Sequence, residues 1–400
     1  MNHPTKFTHR QPSNDAFISL AIEETNAVAD ACIIGGGLAG LSLSILLAKQ
    51  GWKVILFEKH TYPFHKVCGE YISLESKPFI ERLGFDIPEY KYPHITDLKV
   101  SAASGVEVNR RLDIGGFGIS RFTLDYELSL IAKNCGVTIL HERVEDVNYI
   151  DNKYHVKSNK GQYTSTICTG SFGKRSNLDV KWQRSFVKSA QKGLNNYLGI
   201  KYHIRHDHPK ETIALHNFKN GYCGISAIED DKYCLCYLTS ANNLASNGND
   251  IAMMERNILH QNKNLKKIFT EATFLYPEPL VISQVSFVNK TQYERNMPLC
   301  GDAAGLITPL CGNGMSMALK AASLLAPLLD QYLNGSIKLE QLNGTYSKQW
   351  HATFNRRLQV GRMVQNLFGN NQMTSLFLQT CRTIPAITDT LIRYSHGDTY

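Results

Sequence analysis

An α/β fold is predicted by three features of this 400-residue sequence. A glycine-rich turn joins an apolar strand to an apolar helix near residue 35. Strand-like pieces fill residues 180–290, and the chain after Gly301 is mainly helical. The expected architecture is a doubly wound parallel sheet, an inserted, mostly antiparallel sheet, and a helical C-terminal region. Apolar residues make up 43% and charged residues 20%, enough to bury a substantial core. The length suits two domains, or one carrying an insertion.

Taken in order, residues 1–27 read as a polar N-terminal arm. "ADACIIGGGLAGLSLSILLAKQGWKVILFEK" follows as strand, turn, helix and strand. The run "ACII" lacks alternation, as a strand buried on both faces should. Residues 95–115 alternate and carry turn signals, suggesting antiparallel strands. "ISRFTLDYELSLIAKNCGVTILHERVEDV" returns to helix and strand, and a further helix is expected near 251–269. The expected division is a nucleotide unit of 28–95, 115–180 and 285–330, a substrate unit of 96–114 and 181–284, and a helical region of 331–400.

The glycine turn, Gly35-Gly36-Gly37-Leu38-Ala39-Gly40, fits a GxGxxG dinucleotide fingerprint. In such a Rossmann-type unit Gly35 makes the tight turn and Gly37 admits a pyrophosphate. Gly40 lets helix and strand pack closely, while the helix N-terminus attracts the phosphates. Glu58, ending the second strand with Lys59 beside it, suits a ribose hydroxyl and so NAD or FAD rather than NADP. Far downstream, "NMPLCGDAAGLITPLCGNGMSMALK" ends a strand in Gly301-Asp302 and leads through Gly312, Asn313 and Gly314 into a long apolar helix. A carboxylate there can hold polyol hydroxyls, and the helix start favours an anionic ring.

Together, "GGGLAG" and "GDAAG" resemble the FAD-binding fold of the para-hydroxybenzoate hydroxylase and geranylgeranyl reductase superfamily (the GR2-like type). The resemblance implies FAD as cofactor, with Arg121 of "ISRFTLDYEL" near the ribityl or phosphate portion and Val144 near the adenine. "KVCGE" resembles the Lys-x-Cys-Gly loop of the reductase branch, which lies beside the flavin ring. It implies Cys68 and Gly69 at the ring and Lys66 steadying an anionic flavin or substrate, with Glu70 orienting Lys66. Lys66 and Cys68 are thus the candidate catalytic residues. A catalytic disulfide is not expected, Cys311 being a thiol that the fold could bring near Cys68.

No second GxGxxG follows a strand, so NAD(P)H is expected only as a transient reductant. A monooxygenase acting on a small aromatic, polyketide or quinone-like metabolite with O2 is the favoured activity. The alternatives are a reductase saturating an isoprenoid double bond and a flavin electron-transfer protein. "NGYCGISAIEDDKYC" lacks the tryptophan and Phe-Pro of prenyl reductases, and the Trp-x-Trp-x-Ile-Pro signature of flavin halogenases is missing. The formal charge of +8 is spread along the chain and forms no nucleic-acid stripe. "HIRHDH" (His203, His206, His208) reads as a solvated loop, and no metal site is expected. The absence of a recognisable leader, of CxxC pairs and of long apolar runs suggests a cytoplasmic protein with reduced thiols. The partner is a small molecule, apolar or aromatic. Apolar and basic positions alternate in the C-terminal stretch, which reads first as a helical cover on the core and second as a membrane-surface element.

Overall fold

The computed structural model describes residues 27–88, 91–188, 196–306, 313–368, 370–395 and 397–400. Its strands begin with β1 (Ala27–Ile34), β2 (Val54–Phe57), β3 (Tyr71–Ser73), β4 (His94–Ser101), β5 (Glu107–Gly118), β6 (Thr138–Leu140), β7 (Val144–Ile150) and β8 (Lys153–Ser158). There follow β9 (Gln162–Gly170), β10 (Tyr197–Arg205), β11 (Thr212–Phe218), β12 (Gly221–Ile228), β13 (Lys232–Ser240), β14 (Thr273–Phe274) and β15 (Leu280–Val285).

The first sheet has the order β6-β2-β1-β9-β8-β7, parallel from β6 to β9 and antiparallel beyond. Ala31, Cys32 and Ile33 of β1 are fully buried, which explains the missing alternation. The helix Leu38–Lys49 packs on β1 and β2 and against the helices Arg121–Asn134 and Gly314–Leu333. Its apolar residues therefore spread around it rather than forming one stripe. Because β1 lies between β2 and β9, the chain leaves it at the point where strand order reverses. In open α/β sheets a crevice forms there.

The second sheet has the order β14-β10-β13-β12-β11-β4-β5-β3, with β15 also pairing with β10. It is antiparallel apart from the β4–β11 pair. The β3 segment was expected to lie with the nucleotide unit. It pairs with Gly116–Gly118 at the end of β5, and all three of its residues are buried. One face carries Ile200, Ile225, Leu235 and Tyr237 against the helices Ile251–Asn257 and Lys263–Glu271. These were expected as one helix. They are separated by a 3-10 turn at Leu259–Gln261, and Asn262 caps the second helix through the Asn264 N–H. The other face, with Val100, Val108, Tyr222 and Leu238, meets the C-terminal helices Leu339–Phe368, Asn371–Thr383 and Pro385–Ser395.

"HIRHDH" is not a loop at its start, because His203 lies within β10 and is buried. Its polarity misled the sequence reading, since the strand buries Lys201 and His203 on one face and Ile200, Tyr202 and Ile204 on the other. The nine described cysteines are free thiols, most of them buried. No helix among the described residues is long and apolar enough to cross a membrane.

Candidate active site

The chain turns out of β1 at Gly35, whose φ of +104° favours glycine. A side chain there would meet the Ser171 carbonyl oxygen at 2.5 Å. At Gly40 a Cβ would lie 2.0 Å from the Gly35 oxygen, so this glycine lets helix and strand close up and does not itself line the cavity. Gly37 opens onto the cavity. The atoms nearest to a Cβ at Gly37 would be Arg121 Nη2 at 3.5 Å and Lys66 Nζ at 3.7 Å. Two cations thus stand over a helix N-terminus, a donor set suited to a diphosphate.

Asp125, 1% exposed, organises both cations. Its carboxylate accepts from Arg121 Nε at 2.7 Å and Nη2 at 2.8 Å, and pairs with Lys66 Nζ at 3.0 Å. Burial alone would raise this carboxyl; Arg121 and then Lys66 hold it below the usual carboxylate range. The expectation that Glu70 orients Lys66 is therefore overturned. Lys66 is drawn to the turn by Asp125 and by the Gly36 carbonyl at 3.4 Å. Glu58 follows β2 directly, and its carboxylate accepts from the Gly36 N–H and the His60 N–H, each at 3.1 Å. Lys59 and Val144 line the same cavity, where Asn177 Nδ2 donates to the Val144 carbonyl at 2.9 Å.

The downstream segment joins this edge through the backbone. Leu299 bridges Gly170 in parallel and the Cys300 N–H donates to the Gly170 carbonyl at 2.8 Å, extending the sheet beside β9. Gly301 and Asp302 are thereby carried to the strand ends, and a Cβ on Gly301 would lie 2.9 Å from Ala39 Cβ. Gly35, Gly37, Leu38, Ala39, Glu58, Arg121, Gly301, Asp302 and Gly314 all face one cavity. Lys290, unforeseen from sequence, clasps the rim by donating to the carbonyls of Lys174 at 2.7 Å and Asp302 at 2.8 Å. Burial pulls its ammonium down to about 8. Asn313 is buried just ahead of the helix Gly314–Leu333 and is not in the cavity wall. Gly312 and Cys311 lie outside the described residues.

Cys68 and Gly69 line the middle of the cavity, on a loop tied to the second sheet through three of its backbone carbonyls. Lys201 Nζ donates to the Lys66 carbonyl at 3.1 Å, Cys234 Sγ to that of Cys68 at 3.2 Å, and Ser226 Oγ to that of Gly69 at 3.0 Å. Glu70 follows with φ +56°, unusual for a residue with a side chain. It is fully buried and accepts from Lys201, from His203 Nε2 at 2.6 Å and from the Arg121 N–H at 2.8 Å. Because a carboxylate only accepts, His203 Nε2 carries the proton directed at Glu70, and Nδ1 lies within hydrogen-bond reach of the Tyr276 hydroxyl. Cys234 completes a compact group with Glu70 and His203. The Lys201 ammonium already occupies the carboxylate, which argues against a second cation there. Cys236 also lines the cavity, and burial pushes its thiol up to about 12, so it stays protonated at neutral pH.

Burial would raise the Glu70 carboxyl, but Lys201 and His203 bring it down to about 2 from 4.5. A depressed carboxylate contributes stability above its unfolded value and loses it as the pH falls through the folded one. Acid unfolding followed by circular dichroism is expected to show declining stability from about pH 4.5 toward pH 2, and Glu70→Gln is expected to flatten that slope.

Beyond Cys68 the cavity widens into an apolar chamber between the second sheet and the C-terminal helices. Leu98, Val108, Leu215, Val364, Phe377 and Leu378 are among its walls. The whole space measures about 1170 Å³.

Residues 33–67 match the family described as NAD(P)-binding Rossmann-like domain. The chain is similar to Conditioned medium factor receptor 1 of Dictyostelium discoideum, with 21% identity over 384 residues, 88% of this chain and 73% of that protein. Among solved structures it resembles a geranylgeranyl bacteriochlorophyll reductase-like protein from Thermoplasma acidophilum, with a TM-score of 0.76 and 16% identity over 94% of this chain and 97% of that one. It likewise resembles the flavin-dependent brominase Bmp2, with a TM-score of 0.75 and 19% identity over 92% and 93%. At such identities the likeness is architectural: the chain shares with these proteins a mixed α/β fold built on a Rossmann-like unit.

Proposed function

We propose that the chain is an FAD-dependent oxidoreductase of the monooxygenase type, using NAD(P)H and O2 on an apolar metabolite of aromatic, polyketide or quinone-like character. One observation carries this reading: a single continuous cavity links the glycine turn, the Cys68 loop and Asp302 to an apolar chamber. FAD, when bound, would supply the two-electron chemistry. In this reading Arg121, Lys66 and the helix N-terminus at Gly37 hold the diphosphate. Glu58 takes a ribose hydroxyl, Lys59 and Val144 flank the adenine end, and Gly301 and Asp302 hold the polyol chain. Gly314 and the Cys68–Gly69 loop border the ring. The apolar walls position substrate and keep water away, which hydroxylation requires.

A second reading, saturation of an isoprenoid double bond, is favoured by one feature. The cysteine loop is fixed rigidly at the mouth of an extended apolar chamber. The full chain can be loaded with FAD, photoreduced without oxygen and mixed with O2. Reoxidation in two spectral phases is expected of the monooxygenase. A single slow phase, with two hydrogens added to a geranylgeranyl chain, transfers the assignment to the reductase. Fast exchange with a one-electron acceptor and no turnover indicates an electron carrier. A chain that stays colourless in excess FAD ends the flavoprotein reading.

A further inference from the structure

The helix Asn371–Thr383 is apolar on two sides. Its inner side presents Phe377, Leu378 and Cys381 to the chamber. Its outer side carries Met373 and Leu376 three residues apart on one face, with Ile384 following at the helix end. Leu376 is 67% exposed, and Met373, Ile384 and Met363 of the preceding helix are each about half exposed. Among the described residues, four of the thirteen exposed large apolar side chains fall within residues 363–384. A cluster of this kind marks a contact surface rather than the ordinary scatter of single apolar residues.

The helices that carry this surface are positively charged. Residues 352–394 contain five arginines and no lysine, and Asp389 is their one acid. Arg357 is spent on buried Glu75, and Asp389 already faces Arg110 at 3.8 Å. Arg356, Arg382 and Arg393 remain exposed, one on each of the three C-terminal helices. A second copy docking through the same helices would need acids opposite these arginines, and residues 352–394 supply no unpaired one. Anionic headgroups supply them in number.

We propose that this face docks on an anionic lipid bilayer, from which an apolar substrate reaches the chamber across a wall one helix thick. The membrane contact stands on the surface itself; only the nature of the cargo rests on the proposed activity.

The test uses the full chain with FAD in flotation with vesicles of phosphatidylcholine and phosphatidylglycerol in equal parts, and with phosphatidylcholine alone. Flotation is expected with the anionic vesicles and to be at least about tenfold weaker with the neutral ones, or in high salt. The double substitution Met373→Glu and Leu376→Glu touches only exposed positions. It should abolish flotation while leaving the thermal midpoint unchanged. Arg382→Gln with Arg393→Gln should weaken it without disturbing the apolar stripe. Absent flotation, flotation indifferent to lipid charge, or flotation unaltered in both variants overturns the proposal. A dimer in gel filtration that the glutamate pair dissolves, with no vesicle binding, overturns it in favour of self-association. Colourless protein that still floats leaves the docking intact and removes the flavin reading; yellow protein that does not float does the reverse.

Discussion

Glu70→Gln is expected to destabilise the protein by about 3–5 kcal/mol, because it removes one partner of a buried charge pair and leaves the other uncompensated. Lys201 is 0% exposed, and its ammonium has Glu70 as its ion-pair partner, with the Lys66 carbonyl as its further acceptor. The substitution also weakens the bond from His203 and the tie to the Arg121 N–H. The left-handed backbone at residue 70, which those three donors hold in place, becomes free to relax. Urea unfolding gives the measurement. Adding Lys201→Met to the Glu70→Gln variant should return part of the loss, since two neutral groups cost less in that site than one stranded cation. A Glu70→Gln protein as stable as the original would mean that water reaches the pair and that the loop is not anchored through it.

Arg121→Ala is expected to lower affinity for FAD by about two orders of magnitude, the range of a charge-assisted bond lost from a preformed anion site. Fluorescence quenching on titration of FAD into the apoprotein reads it directly. Lys66 would remain over the turn, held by Asp125 at 3.0 Å, so binding should persist at reduced strength and with a shallower salt dependence. Arg121→Lys keeps the charge but loses the paired geometry toward Asp125, and should fall between the two. Unchanged affinity in the alanine variant would show that Arg121 serves Asp125 alone.

The first sheet and its turn were legible in the sequence because their physics is local. A glycine that must turn with positive φ, another that must let a helix touch a strand, and an unbroken apolar run each leave a mark within a few residues. The pairing of "GGGLAG" with the distant "GDAAG" was also readable, and the Leu299–Gly170 bridge shows how the backbone achieves it. The partners of the Cys68 loop were not readable. Lys66 and Glu70 are near neighbours in sequence, which suggested a pair, yet they are drawn to opposite sides by Asp125 and Lys201. His203 opened a run polar enough to pass for a loop, and Lys201, two residues before it, carried no local signal.

By itself, then, the sequence determined the fold class, the dinucleotide turn and the helical C-terminus, because periodicity and glycine placement act over short distances. The tertiary structure alone decided which charges meet, that His203 is buried, and that three helices close an apolar chamber over the second sheet. Charge pairing and cavity shape depend on which segments fold against one another, and spacing along a chain does not encode that distance in space.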